Sequence, residues 1–132
     1  MNLKIITQEK VVFDSEVDEI YTKGVDGEFG ILKGHVPMMS ALDIGVTKIK
    51  KDGETKSFTT MGGVLQFKDD ECLILTTLAE PGDEIDEMRA RESLERGRKL
   101  LREANAKMDS KRIEASIARA KARLKAKLND KE

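Results

Sequence analysis

Residues 45–59 read Gly-Val-Thr-Lys-Ile-Lys-Lys-Asp-Gly-Glu-Thr-Lys-Ser-Phe-Thr, two alternating polar and apolar runs joined through Asp52 and Gly53. An Asp-Gly pair between alternating runs is the strongest short signal for a β-hairpin, because a type I′ turn needs positive φ at both central residues. Alternation of this kind is typical of strands with one buried face. The stretch therefore predicts an antiparallel strand pair with its turn at Asp52.

The same pattern recurs on both sides of this hairpin. Two apolar runs, 63–67 and 72–76, flank the polar residues 68–71 and predict a second hairpin, and 3–7 and 17–22 are strand-like as well. Many short strands at even spacing are typical of a sandwich or barrel. We therefore expect two packed antiparallel sheets, which together form an N-terminal antiparallel β-sandwich.

The composition changes sharply after the strands. The first 85 residues carry 9 Lys and 16 Asp and Glu, whereas the rest of the chain carries 15 Lys and Arg and 9 Asp and Glu. Every arginine lies in the second part, and every aromatic residue lies in the first. Such a change, close to Pro81 and Gly82, indicates a structural boundary. We predict a head of residues 1–84 and a tail of residues 85–132.

In the tail the apolar period becomes helical. Small and aliphatic residues recur at steps of three and four: Ala90, Leu94, Gly97, Leu101 and Ala104, and then Ile113, Ile117, Ala120 and Leu124. These seams predict two helices, with Asp83 or Asp86 capping the first and Asp109 or Ser110 the second. The short break at 105–108 predicts an antiparallel two-helix hairpin. Because small side chains bury little area, the hairpin must dock on the head, a partner or a ligand.

Arginine spacing suggests an anion site at one end of this hairpin. An antiparallel arrangement brings the start of the first helix beside the end of the second, and so groups Arg89, Arg96, Arg119 and Arg123. Converging guanidiniums fit phosphate oxygens, and Asp86 and Glu80 lie near the same end to balance charge or accept hydrogen bonds from a base or ribose. The alternative is a solvated, ion-paired helix surface.

Several function classes lack support in the sequence. There is no P-loop or nucleophile motif, Cys72 and His35 are the only residues of their kinds, and no stretch approaches the ~20 apolar residues of a membrane helix. We expect no enzyme, no metal site and no signal peptide. A free-standing nucleotide-sensing module and a nucleic-acid-binding protein with a basic tail stay open as alternatives, although the tail has no aromatic residue to stack on a base.

Residues 27–37, Gly-Glu-Phe-Gly-Ile-Leu-Lys-Gly-His-Val-Pro, resemble the Gly-Glu-Leu-Gly-Ile-x-Pro-Gly-His-x-Pro signature of ATP synthase epsilon subunits, with departures at Phe29 and Lys33. The resemblance implies a non-catalytic regulatory subunit of the central stalk. Its head would bind the gamma subunit and the c-ring, the latter through a loop containing Glu28, Phe29, Gly30 and His35. Its tail would extend toward the catalytic α and β subunits and inhibit ATP hydrolysis. Such a complex would hold it on the cytoplasmic face of the bacterial cell membrane.

Part of that family binds ATP in the folded state of the tail, through a motif of the form Ile/Leu-Asp-x-x-Arg-Ala. Residues 85–90 match this motif in full as Ile85, Asp86, Glu87, Met88, Arg89 and Ala90. Further contacts of that subset fall on Glu80, Arg96, Arg119 and Arg123. The resemblance thus implies ATP as a regulatory ligand, with or without magnesium, and nucleic acid is not an expected partner.

Overall fold

The computed structural model describes residues 1–103 and 110–130, and within them the chain forms a β-rich head followed by two helices. The strands are β1 (Asn2–Ile6), β2 (Val11–Glu16), β3 (Glu19–Gly24), β4 (Gly27–Leu32), β5 (Met38–Lys51), β6 (Glu54–Lys68) and β7 (Glu71–Leu75). A single 3-10 turn (Gly82–Glu84) precedes the helices α1 (Glu87–Glu103) and α2 (Ser110–Asp130).

The strands form two layers of one continuous hydrogen-bonded sheet with the order β2-β1-β7-β6-β5-β3-β4. Both layers share the long strands β5 and β6, which keep one register throughout; their pairing is interrupted at Asp43 and Gly62, between the Leu42–Gly63 and Ile44–Met61 pairs, and there the strands bend from one layer into the other. The β-sandwich prediction is confirmed. One detail differs, since β1 and β7 pair in parallel. The alternation of apolar residues in β1 and β7 is the same for parallel and antiparallel pairing, so the sequence did not reveal the relative direction of the two strands.

Turn chemistry explains the two predicted hairpins and the bend. Asp52 has φ 50° and Gly53 has φ 81°, which is the positive φ predicted for this turn, and Asp69 and Asp70 in the second hairpin turn also have positive φ. Gly63 at the bend has φ 115°, and a Cβ there would lie 1.9 Å from the Leu75 carbonyl oxygen. Glycine is therefore required at the point where the two layers separate.

The core lies between the two layers. It is built from aliphatic and aromatic side chains of both, among them Leu3, Ile5, Leu65 and Ile74 from one layer and Ile20, Ile31, Ile49 and Phe58 from the other. A row of threonine hydroxyls crosses it, with the Thr22 and Thr47 oxygens 2.8 Å apart and the Thr47 and Thr60 oxygens 3.2 Å apart. These hydroxyls satisfy one another, which offsets the cost of burying them.

The tail docks on the outside of the sandwich through α2. This helix contacts β5, β6 and the 3-10 turn, whereas α1 packs mainly on α2. Ala122 and Ala126 of α2 are buried against Val46 and Ile85. The sequence analysis predicted one apolar seam on each helix and missed this second buried face of α2.

The predicted seam between the helices is largely confirmed. Leu94, Ile117 and Ala120 form a buried cluster with the half-buried Ile113 and Leu124. Ala90 and Gly97 are buried as well, while Leu101 is 37% exposed. Ala104, Asp109 and the predicted break at 105–108 lie outside the described residues.

At Gly97, α1 and α2 come into close contact. A Cβ at this position would lie 2.7 Å from Cγ1 of Ile117. Glycine costs about 1 kcal/mol relative to alanine inside a helix. The close approach of α2 explains why the hairpin contains glycine here.

Candidate functional site

A cleft of 660 Å³ lies where the start of α1 meets the chain that leads into it and the last turns of α2. Seven of the eight residues predicted to bind ATP line it, namely Glu80, Ile85, Asp86, Arg89, Ala90, Arg96 and Arg123. The hairpin thus brings together side chains that are up to 43 positions apart in the sequence. Both helices contribute to the walls of the cleft, α2 through Arg123.

Asp86 fixes the start of α1. Its Oδ1 accepts a hydrogen bond of 3.1 Å from the backbone N–H of Arg89, which is the geometry of an N-cap. Of the two predicted caps, Asp86 is therefore the correct one, whereas Asp83 lies in the 3-10 turn. The capped helix start also places backbone N–H groups and the positive end of the helix dipole beside the cleft, an arrangement that suits anions.

Arg123 ties the end of α2 to the head. Its Nε donates a hydrogen bond of 2.8 Å to Oε1 of Glu80, and the two side chains are only 27% and 33% exposed. Partial burial and a direct hydrogen bond make this pair stronger than a solvated surface ion pair. Glu80 thus neutralises one of the guanidiniums that face the cleft.

The guanidiniums of Arg96 and Arg89, which also line the cleft, pair with no carboxylate among the described residues. Arg96 donates from Nη2 to the hydroxyl of Ser93 over 3.4 Å, a contact to a neutral group. The guanidinium of Arg89 has no hydrogen bond or ion pair among the residues the structure describes. Both arginines are exposed, so their positive charge is available to a ligand in the cleft.

Arg119 departs from the prediction that four guanidiniums converge. It is not among the residues that line the cleft, and its Nη2 donates to Ser116 Oγ over 3.1 Å. It precedes Arg123 by one helical turn, or about 6 Å along the axis of α2. Same-face spacing places residues in one row along a helix but not at one height. A role for Arg119 in nucleotide binding stays a prediction.

Three residues of the cleft were not anticipated, namely Glu84, Glu92 and Ser93. Glu92 lies three residues after Arg89 and four before Arg96, the spacing that puts all three on one face of α1. Helical periodicity alone was therefore enough to find it. Glu84 belongs to the 3-10 turn, which the sequence did not predict.

The second predicted site, the c-ring contact, is not a loop. Glu28, Phe29 and Gly30 lie on the edge strand β4, and only His35 lies in the turn that follows. The glycines permit this strand, since the Tyr21 ring lies over Gly30, within 2.8 Å of where its Cβ would be. Gly27 and Gly34, at the two ends of this segment, have positive φ of 128° and 82°.

His35 is held by its neighbours. Its Nδ1 lies 2.7 Å from the carbonyl oxygen of Val36, and its ring packs edge-on against Phe67 with the centroids 5.9 Å apart. Among the described residues no group of three or more His, Cys, Asp and Glu is arranged to hold a metal ion.

An ion pair joins α2 to Glu28, one of the residues of the predicted c-ring contact. Lys125 Nζ of α2 lies 3.1 Å from Oε1 of Glu28 on β4. Both side chains are more than half exposed, so the pair adds at most about 1 kcal/mol to docking.

Neither α1 nor α2, over the residues described, is long and apolar enough to cross a membrane.

Comparison with known proteins shows which proteins this chain is similar to. Residues 1–82 match the family model described as ATP synthase, Delta/Epsilon chain, beta-sandwich domain. Residues 83–127 match the model described as ATP synthase, Delta/Epsilon chain, long alpha-helix domain. The two models together cover nearly the whole chain.

Individual relatives agree with these models. The ATP synthase epsilon chain of Symbiobacterium thermophilum is 40% identical over 127 residues, which cover 96% of this chain and 91% of the relative. That of Nitratidesulfovibrio vulgaris is 35% identical over 129 residues, 98% of this chain and 96% of the relative. The chloroplastic epsilon chain of Gracilaria tenuistipitata is 34% identical over 126 residues, 96% and 94% of the two chains.

Solved structures share the fold. A chain in the Euglena gracilis mitochondrial ATP synthase (OSCP/F1/c-ring) superposes with a TM-score of 0.80 at 23% identity, covering 91% of this chain and 76% of that one. A chain in the Tetrahymena thermophila mitochondrial ATP synthase central stalk/c-ring gives 0.62 at 15% identity, covering 96% and 95%. At these identities the likeness concerns the fold alone.

Proposed function

The chain belongs to the delta/epsilon family of ATP synthase chains, and from this membership we propose that it is the epsilon subunit of an F-type ATP synthase central stalk, with a regulatory and non-catalytic role. Its head would bind the gamma subunit and rest on the c-ring. Its tail would respond to ATP. The chain would then lie at the membrane through its complex, on the cytoplasmic face in a bacterium.

Support for the rotor contacts comes from the relatives and from the edge of the sandwich. The two solved structures that share the fold are the OSCP/F1/c-ring of one ATP synthase and the central stalk/c-ring of another. Glu28 and Phe29 lie on β4, whose only strand partner among the described residues is β3. The outer edge of β4 therefore offers free backbone groups and side chains to a partner. Capture of the gamma subunit by the full chain tests this part, and failure to capture it would favour the free-standing module.

One observation carries the ATP switch: seven of the eight residues predicted to bind ATP line a single cleft formed by both helices and the head. ATP bound there would touch Arg89 and Arg96 of α1 and Arg123 of α2 at once. It would therefore bind the closed hairpin in preference to a separated one. A ligand shifts a conformational equilibrium only by such a difference in affinity, and moving it from 1:99 to 99:1 takes about 5.5 kcal/mol.

When ATP leaves, the tail would be free to extend along gamma toward the catalytic subunits and block hydrolysis. The closed hairpin is suited to this exchange, because much of its buried surface is alanine and glycine. Small side chains bury little apolar area, so docking is weak and readily replaced by another partner. The basic residues exposed on α2, such as Lys111 and Lys121, suit an acidic surface.

A calorimetric titration of the full chain with ATP, with and without magnesium, tests the site. We expect saturable one-to-one binding that Arg89→Ala abolishes. Asp86→Ser removes the carboxylate and keeps a side chain that caps α1, and it should also lose affinity. Arg91→Ala is the matched control, because Arg91 points away from the cleft and pairs with Glu87. Equal affinity in Arg89→Ala and the parent chain would exclude this site.

A further inference from the structure

The charge of the cleft is not that of a simple phosphate-binding pocket. Its walls carry three guanidiniums and four carboxylates, which gives a net charge of 3 − 4 = −1. Two of the carboxylates have a structural role, since Glu80 pairs with Arg123 and Asp86 caps α1. The other two belong to Glu84 and Glu92.

Neither Glu84 nor Glu92 stabilises the fold through its carboxylate. Among the residues that the structure describes, neither side chain has a hydrogen bond or an ion pair, and both are exposed. Glu84 is held in the 3-10 turn by its backbone N–H, which donates to the Pro81 carbonyl. Their charges are thus separable from folding, and what they act on is whatever enters the cleft.

We propose that Glu84 and Glu92 set the nucleotide affinity by repelling the phosphate groups, which tunes the switch to a high ATP concentration. The inference rests on the proposed ATP site. ATP brings up to four negative charges to a cleft whose walls carry these two unpaired carboxylates together with Arg89 and Arg96, neither of which pairs with a carboxylate among the described residues. The two negative charges oppose the attraction of these guanidiniums for the phosphates and so weaken binding.

A second chemistry predicts the opposite sign. Carboxylates beside a triphosphate are also ligands for magnesium, and in that role Glu84 and Glu92 would strengthen the binding of magnesium-ATP. The sign of the effect of removing the charges therefore separates the two chemistries.

The test is a titration of the full chain and of Glu84→Gln, Glu92→Gln and the double variant with ATP, ADP and AMP, each with and without magnesium. We expect about a three- to tenfold gain in ATP affinity per substitution, in line with screened charge pairs at a protein surface. The gain should be larger for ATP than for AMP and should shrink in 1 M KCl, which a purely structural effect would not do. Glu95→Gln, outside the cleft and paired with Arg98, is the matched control.

Each outcome decides between the possibilities. Unchanged affinity in both variants, with binding still lost in Arg89→Ala, would overturn the repulsion and leave the ATP site in place. Weaker binding only in the presence of magnesium would assign the carboxylates to the metal and overturn the repulsion too. If the parent chain shows no binding but the double variant does, the inference is supported. If no variant binds ATP, the proposed site itself fails.

Discussion

Gly97→Ala should open the helical hairpin without weakening either helix. The new Cβ would lie 2.7 Å from Ile117 Cγ1, about 1 Å closer than the best carbon-carbon distance. Overpacking of this kind costs about 1–3 kcal/mol. Alanine also favours the helix by about 1 kcal/mol, but that gain is the same in a docked and an undocked helix. The equilibrium should therefore shift five- to 150-fold toward the undocked tail.

The distance between α1 and the head measures this shift. Spin labels on cysteines introduced at Glu95 and Glu54, both exposed, would report it by pulsed electron resonance. The native Cys72 is only 2% exposed, so it should not take up label. Lys99→Ala is the control, because it raises helix propensity on the exposed face of the same helix and adds no atom to the interface.

A distance distribution in Gly97→Ala that matches the parent chain would refute the close packing of α1 on α2 at this point. So would equal opening in Lys99→Ala, because the cause would then lie outside the interface. If ATP binds the closed hairpin, saturating ATP should restore the short distance in Gly97→Ala, at a reduced apparent affinity.

Two further predictions concern the head. Gly63→Ala should lower the free energy of unfolding by about 2–5 kcal/mol, because it adds a collision with the Leu75 carbonyl to the strain of positive φ. Gly27→Ala, with open space around the new Cβ, should cost only the strain, about 1–3 kcal/mol. Equal urea unfolding midpoints for the two variants would contradict this prediction. Burial raises the pKa of the Cys72 thiol to about 12, so a thiol reagent at pH 8 should react no faster than the chain unfolds. The raised pKa adds stability that is complete below the unfolded thiol's pKa of about 8.5 and is lost as the pH rises toward 12. Cys72→Ala should remove this part of the pH dependence, as measured by urea unfolding.

Much of the fold followed from local patterns. The Asp52 and Gly53 turn and the step from period two to period 3.6 are visible in short windows of sequence, because turn chemistry and amphipathicity are local. The parallel pairing of β1 with β7 was not predictable in this way. It joins strands almost 70 residues apart, and neither their composition nor their period specifies a direction.

The residues of the cleft were predictable to a similar extent. Spacing on two helices and the motif at Ile85 grouped seven of the residues that line the cleft. The height of Arg119 along α2 and the 3-10 turn that carries Glu84 depend on tertiary packing. So does the second buried face of α2, although alanines at 118, 122 and 126 repeat at steps of four and could have indicated it.

The layered docking of the tail fixes the order in which it can leave. Because α2 lies between the sandwich and α1, the outer helix can detach while the inner one stays, but the reverse would require α1 to lose its main support as well. Detachment of α1 alone removes Arg89 and Arg96 from the cleft and leaves Arg123 on Glu80. A ligand in the cleft would thus act on the first step of release, before most of the contacts between α2 and the head are broken.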